Sequence, residues 1–157
     1  MAKLSCTALV ASLCILAVAS FVHCTDVLDV EGKVFCDTCR ARFITRISEY
    51  IEGAEVKIEC HNRITGVLTA RVEGRTNKTG SYFFQVKGDH LEDICEVKLL
   101  RGPHCNQLDG ERSRAHILLN NNNDIVSDIR HANPFGLLKK EALPQFSIVL
   151  KELGLIA

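Results

Sequence analysis

The sequence has no excess of charge of either sign. It contains 19 lysines and arginines against 19 aspartates and glutamates, and like charges never run on for more than a few residues. Proteins that bind nucleic acid or an anionic membrane surface through charge usually carry a basic patch or stripe. Neither nucleic acid nor a membrane surface is therefore expected as a partner.

The sequence has only one long uncharged apolar run, and that run lies at the N-terminus. It extends from Leu4 to about Val18, follows Lys3, and is too short to span a bilayer. This is the pattern of a secretory signal peptide, with cleavage after Ala19 or after Cys24. We favour the later cut because the apolar character continues beyond Ala19. An N-terminal membrane anchor is the alternative.

The favoured cut predicts a signal peptide over residues 1–24 and one domain over residues 25–157, which is an ordinary domain size. Since no second long apolar run follows, no membrane span is expected after signal removal. The protein is then secreted to the extracellular space or the cell wall.

Catalytic motifs are also missing. The sequence has no Gly-x-Ser-x-Gly elbow, no His-Glu-x-x-His helix and no glycine-rich phosphate loop. Its histidines are scattered, with no nucleophile or carboxylate at a recurring spacing. We therefore expect a protein that is not an enzyme and that has neither a cofactor nor a metal site.

What the sequence does contain is period-two alternation, which is typical of strands with one buried face. Apolar residues alternate with polar ones in six short segments punctuated by glycines, namely 28–34, 54–60, 68–72, 82–86, 95–99 and 115–119. The residues from Arg40 to Tyr50 have no clear period and predict a loop or a single helical turn. Near the C-terminus, Phe146, Val149, Leu150 and Leu153 recur at helical spacing, between Pro144 in the first turn and Gly154 at the end. The prediction is an all-β protein, an antiparallel barrel or sandwich of about seven strands with a short C-terminal helix.

Five cysteines remain after the favoured cut, and in an oxidising compartment an odd number leaves one without an intrachain partner. They are Cys36, Cys39, Cys60, Cys95 and Cys105. The Cys36-Asp37-Thr38-Cys39 spacing allows a redox pair, half of a zinc site, or two cysteines that crosslink to different distant partners. A redox pair needs a βαβ setting and a zinc site needs a second close pair of ligands, so we favour the structural interpretation.

One Asn-x-Ser/Thr sequon occurs, at Asn77-Lys78-Thr79. It lies between Gly74 and Gly80, in the turn-like and exposed context that N-glycosylation needs. Asn77 is therefore predicted to carry a glycan if the protein is secreted.

Several of these segments resemble the plant pollen-allergen and extensin family typified by the olive-pollen major allergen. The most specific block is Gly-Lys-Val-Phe-Cys-Asp-Thr-Cys-Arg over residues 32–40. Further similar segments are Ile51 to Cys60, Gly88-Asp89-His90, Asp93 to Val97, Ala132-Asn133-Pro134, Lys139 to Pro144 and Lys151 to Leu155. The resemblance covers essentially the whole mature chain and is greatest to the late-anther, pollen-tube members.

The resemblance implies a β-barrel of about seven antiparallel strands and disulfides from Cys36 to Cys105 and from Cys39 to Cys95. In that pairing Cys60 would bond to a sixth cysteine, but the corresponding position here is Phe146. Cys60 is thus expected to be a free thiol, buried by its alternation with Val56 and Ile58. Phe146 is expected to hold the tail helix by burial in place of the missing bond.

The resemblance also implies a function. It predicts a secreted binding or signalling protein of pollen or the plant cell wall, related to allergens and extensin-like proteins. Such a protein would act in pollen hydration and pollen tube growth by binding a receptor-like kinase ectodomain or another extracellular protein. The alternative is a structural component of the cell wall or a protein that binds cell-wall polysaccharide.

Overall fold

The structure is a computed structural model that describes residues 27–120 and 127–156. The predicted signal peptide over residues 1–24 lies outside the described residues. Within them, no helix has the length and apolar character needed to cross a membrane.

Residues 27–120 and 127–156 form ten strands and one α-helix. The strands are β1 (Val27–Asp37), β2 (Glu49–Tyr50), β3 (Glu55–Asn62), β4 (Leu68–Arg75), β5 (Ser81–Lys87), β6 (Asp93–Arg101), β7 (Gln107–Leu108), β8 (Arg114–Ile117), β9 (Ile129–His131) and β10 (Phe135–Leu138). A 3₁₀ helix over Gly110–Ser113 precedes β8, and the α-helix α1 spans Phe146–Glu152.

Strand β1 pairs with four other strands of the first sheet. Its N-terminal part pairs antiparallel with β5 and parallel with β9, and its C-terminal part pairs antiparallel with β2 and parallel with β10. Strand β7 extends this sheet beyond β10. The second sheet is antiparallel throughout, in the order β4-β3-β6-β8.

The two sheets pack in the manner of a sandwich, which confirms the sandwich form of the all-β prediction. The family resemblance also implied a closed barrel. For the described residues that prediction is wrong, because their strands form two separate sheets. Parallel pairing of β1 with β9 and β10 also departs from a purely antiparallel arrangement.

The alternation in β3 shows how the sequence builds this fold. Val56, Ile58 and Cys60 are buried, while the residues between them face outward. Buried residues from both sheets form one hydrophobic core. It includes Leu28, Val30, Val34, Val56, Ile58, Tyr82, Phe84, Val86, Val97, Leu99, Ile117, Phe135 and Leu137. All six strands predicted from alternation are present.

The outer face of the second sheet is a lattice of ion pairs. Glu59 on β3 lies 2.7 Å from Lys57 and 3.3 Å from Lys98, measured between carboxylate oxygen and Nζ. Glu55 accepts hydrogen bonds from Arg101 and Arg75. The hydrogen bond from Arg101 is the main cause of the lowered pKa of Glu55. The charged residues of the alternating pattern therefore neutralise one another across the strands.

Helix α1 is close to the predicted helix but begins slightly later. Its N-cap is Gln145, so Pro144 precedes the first turn instead of occupying it. Gly154 has a φ of 68° and its N–H bonds to the Lys151 carbonyl, which ends the helix as predicted. Arg46 forms an exposed ion pair with the helix, with its Nε 2.8 Å from the carboxylate of Glu152.

A buried tyrosine, Tyr82, packs in the core directly opposite Gly32. The hydroxyl oxygen of Tyr82 lies 2.1 Å from the point that a Cβ on Gly32 would occupy, so only glycine fits opposite this ring. The ring packs on Phe84 and Phe135 at centroid distances of 5.3 and 5.8 Å. Burial raises the pKa of Tyr82 well above its ordinary value. Its hydroxyl has no hydrogen-bond partner among residues 27–120 and 127–156.

We predict that Tyr82→Phe raises the melting temperature. The substitution keeps the ring contacts and removes a buried hydroxyl without a partner, which costs about 1 kcal/mol or more. Tyr50→Phe, on a side chain that is 47% exposed, is the matched control and should leave the melting temperature unchanged. A lower melting temperature for Tyr82→Phe would contradict this interpretation.

Candidate functional site

One of the two predicted disulfides is present. Cys36, near the end of β1, is bonded to Cys105, which precedes β7, with a Cα–Cα distance of 5.7 Å. Cys36 and Cys39 are therefore not a disulfide pair with each other. Cys36 is thus crosslinked to a distant partner, as the structural interpretation predicted, but the predicted crosslink of Cys39 to a second distant partner is wrong, because Cys39 is free.

The second disulfide corrects two predictions. Cys60 is bonded to Cys95, so the predicted Cys39–Cys95 bridge is wrong, and so is the prediction of a free Cys60 thiol. The cause is the register of β3 and β6, which places Cys60 directly opposite Cys95 with their Cα atoms 4.0 Å apart. Both side chains are buried in the core between the two neighbouring strands.

Cys39 is the free cysteine of the described residues, and it is buried. Its Sγ accepts a hydrogen bond of 3.6 Å from the Thr45 hydroxyl. Phe146, at the position where a sixth cysteine was expected, is 38% exposed, so the prediction that it anchors the tail by burial is wrong. The buried residue of α1 is Val149.

Asp37 holds the loop that contains Cys39. This buried carboxylate accepts hydrogen bonds from the backbone N–H groups of Cys39, at 3.1 Å, and Arg42, at 2.5 Å. Arg40 and Arg42 both have positive φ, at 55° and 67°, a conformation that non-glycine residues adopt at a cost. The carboxylate thus stabilises a tightly folded loop, which gives the aspartate of the motif a structural role.

One group of potential metal ligands occurs among the described residues, formed by Cys60, His90 and Cys95. Its sulfurs are joined in a disulfide, and both ring nitrogens of His90 have partners, Asp93 at 2.8 Å and the Lys87 carbonyl at 3.2 Å. Burial raises the pKa of Asp93, but hydrogen bonds from Thr69 and His90 outweigh burial and hold it below its ordinary value. The contacts of His90 with Asp93 and with the Lys87 carbonyl therefore stabilise the loop before β6.

Asn77 lies in the exposed turn between β4 and β5. Its Oδ1 accepts hydrogen bonds from the Thr79 N–H, the Thr79 hydroxyl and the Ser81 N–H. These bonds fix the side chain, and the residue is exposed. The predicted glycan acceptor is thus accessible, although its occupancy stays a prediction.

An aliphatic surface at one end of the second sheet did not follow from the sequence. Five exposed side chains compose it, and we name it the aliphatic patch: Ile64 (86% exposed), Val67 (61%), Leu68 (46%), Leu91 (40%) and Ile94 (47%). Leu68 and Ile94 flank His61 on either side of β3. The Arg63 N–H bonds to the Glu92 carbonyl, which joins the two loops that carry the other residues.

Leu68 belongs to this patch because of a register shift. The alternation of Leu68 with Ala70 and Val72 predicts an inward side chain, and that prediction is wrong. Between Cys60 and His61 the β3–β4 register shifts, so that Leu68 lies opposite His61. A β-bulge of this kind redirects a side chain to the other face of the sheet.

The turn that carries Ile64 is rigid. Oδ1 of Asn62 accepts bonds from the N–H groups of Ile64 and Thr65, and the Asn62 N–H bonds to the Val67 carbonyl. The exposed aliphatic side chains are thus presented by an ordered hairpin.

Two clefts, each of about 630 Å³, occur among the described residues. The arginine cleft is lined by residues that include Phe43, Arg42, Arg112 and Arg114. The glycine cleft is lined by residues that include Gly32, Tyr82, Asn77 and Phe83.

The two-sheet fold, the Cys36–Cys105 bridge and the surrounding loop define a class of small disulfide-bonded β proteins. The chain belongs to the family described as Pollen protein Ole e 1 like, which matches residues 26–154. It is 45% identical over 150 residues to the anther-specific protein LAT52 of Solanum lycopersicum, covering 94% of this chain and 93% of that protein. It is 42% identical over 153 residues to the pollen allergen Che a 1 of Chenopodium album, covering 94% and 91%.

A solved structure shows the same fold. The major plantain pollen allergen Pla l 1 superposes with a TM-score of 0.65 at 27% identity, over 75% of this chain and 98% of that one. The predicted family is thereby confirmed. Its relatives are named as pollen allergens and pollen-specific proteins, not as enzymes.

We predict that the native mature protein has no thiol that reacts with a labelling reagent, because Cys39 is buried. Unfolding without a reductant should expose one reactive thiol, and peptide mapping should place it on Cys39. Cys39→Ser should then give no labelling in either state, whereas Cys60→Ser should leave Cys39 labelled. A label on Cys60 in the unfolded wild-type protein would contradict the observed pairing.

Proposed function

We propose that the protein is a secreted, non-catalytic binding protein of pollen or the plant cell wall that acts in pollen hydration and tube growth. In this proposal the aliphatic patch binds the ectodomain of a receptor-like kinase. The observation that carries it is the patch itself, since five aliphatic side chains on neighbouring strands and loops of the second sheet are exposed.

Exposing a cluster of apolar side chains to water is unfavourable in free energy. Small soluble proteins rarely expose large contiguous apolar areas, and those that do use them for binding. Burying a single isoleucine or leucine side chain contributes about 1.5 to 3 kcal/mol. The patch can thus supply the apolar centre of an interface.

The rigid hairpin favours the same role. Since the turn around Asn62 is already ordered by its hydrogen bonds, binding costs little conformational entropy there. The neighbouring Arg63 and Glu92 are exposed and can form a polar rim around the apolar centre.

The names of the relatives support a role in pollen. One is described as anther-specific and others as pollen allergens, which agrees with expression in pollen. Secretion is supported by the uncharged N-terminal run and by disulfides, which persist in oxidising compartments.

We predict that the double variant Ile64→Asp, Val67→Asp is no longer retained on an immobilised receptor-like kinase ectodomain that retains the wild-type protein. Retention should fall at least tenfold, because two charged groups would be buried against an apolar surface. Ile148→Asp is the matched control, at a side chain on helix α1 that is 55% exposed and lies outside the patch, and it should bind normally.

Circular dichroism of each variant establishes that it is folded. Two results would contradict the proposal: equal retention of the double variant, or no retention of wild type across a panel of pollen receptor kinases. Retention on pectin or arabinogalactan instead, competed by free oligosaccharide, would favour the cell-wall alternative.

We also predict that the secreted protein begins near Thr25 and carries one N-linked glycan at Asn77. N-terminal sequencing and intact mass measure both features, and Asn77→Gln should remove the added mass. A start at Ser20 would refute the favoured cleavage site. An unmodified mass from a plant secretory host would refute the glycan.

A further inference from the structure

The glycine cleft lies on the outer face of the first sheet, directly beside the glycosylation turn. Strand β5 presents Ser81 and Phe83 outward, opposite Lys33 and Glu31 of β1. His131 of β9 continues the row beyond Glu31. The same cleft is lined by Asn77 at the turn. The predicted glycan acceptor is thus part of the cleft wall.

Phe83 is the unusual residue of this surface. Its ring is 52% exposed among charged and polar neighbours. Its strand neighbours Tyr82 and Phe84 are buried in the core, so Phe83 faces outward by alternation. Nothing in the core requires an aromatic side chain at this position.

The geometry of the turn brings Asn77 close to this ring. The Asn77 N–H bonds to the Ser81 carbonyl at 2.9 Å, which places the two residues side by side. Ser81 and Phe83 project from the same face, about 7 Å apart along the strand. That separation is comparable to the width of one sugar ring.

The orientation of the Asn77 side chain is also fixed. Its Oδ1 is held by Thr79 and Ser81, so the amide nitrogen that would carry the sugar is on the opposite side of the group. A first sugar would therefore be attached to a side chain that the turn already orders, on a residue that lines the cleft.

We propose that the glycine cleft binds the protein's own glycan, with the first N-acetylglucosamine of the Asn77 glycan packed on the ring of Phe83. One face of this sugar is formed by C–H groups, which pack well on the electron-rich face of an aromatic ring. Ser81, Lys33 and Arg75 supply hydrogen-bonding groups around the ring for the sugar hydroxyls. The inference rests on the proposed glycosylation of Asn77.

The test compares Phe83→Ala in three forms of the protein secreted from a eukaryotic host. The forms are the fully glycosylated protein, the same protein trimmed by an endoglycosidase to a single N-acetylglucosamine, and the Asn77→Gln variant. Intact mass first establishes occupancy of Asn77. Phe43→Ala, at a comparably exposed ring in the arginine cleft, is the matched control.

Phe83→Ala should lower the melting temperature by about 3 °C more in the glycosylated and trimmed proteins than in Asn77→Gln, a shift typical of one lost contact in a domain of this size. Phe43→Ala should have the same effect in all three forms. In NMR spectra of the trimmed protein, protons of the single sugar should be shifted upfield by the ring, and Phe83→Ala should abolish that shift.

An equal effect of Phe83→Ala with and without the glycan, together with unshifted sugar protons, would overturn the proposed packing while leaving glycosylation intact. An unmodified Asn77 would overturn both, and the mass measurement distinguishes this result from the first.

Discussion

The register of strand β3 determines most of what is distinctive in this molecule. Pairing with β6 sets Cys60 against Cys95 and turns Val56 and Ile58 into the core. A slip of one residue would bury the charged side chains and expose the apolar ones, since side chains alternate strictly along a strand. The disulfide therefore covalently fixes the register that the burial pattern favours. The same register places His61 between Leu68 and Ile94 and so creates the aliphatic patch.

The first sheet and the tail are held by a different set of contacts. Cys36–Cys105 ties the end of β1 to the chain before β7, and the Asp37 carboxylate orders the loop that follows β1. The tail then attaches to this loop, through the Leu143 N–H to the Thr38 carbonyl and through Arg46 to Glu152. Burial of Val149 completes the attachment. With Cys39 unpaired, these noncovalent contacts hold the C-terminal segment.

The sequence predicts the long elements well and the short ones poorly. Six strands and the tail helix have enough residues for a period to be visible. Strands β2, β7 and β9 have only two or three residues each, too few for a period to be visible, and β10, although as long as β8, has the sequence Phe-Gly-Leu-Leu, which does not alternate. The cysteine pairing required the β3–β6 register, which no local pattern contains. Part of the aliphatic patch could be predicted from the sequence, because Ile94 alternates in step with Glu96 and Lys98 and therefore faces outward. The outward position of Leu68 could not be predicted, because it results from the β-bulge.

In the proposed function the protein binds a receptor-like kinase ectodomain through the aliphatic patch. Hydrogen–deuterium exchange of the protein, alone and in complex with such an ectodomain, measures which segments the partner covers. Exchange should slow on binding in the segments 61–68 and 91–94, with the loop 38–48 unchanged. Protection confined to the loop 38–48 or to the arginine cleft, with the patch segments unaffected, would contradict the proposal.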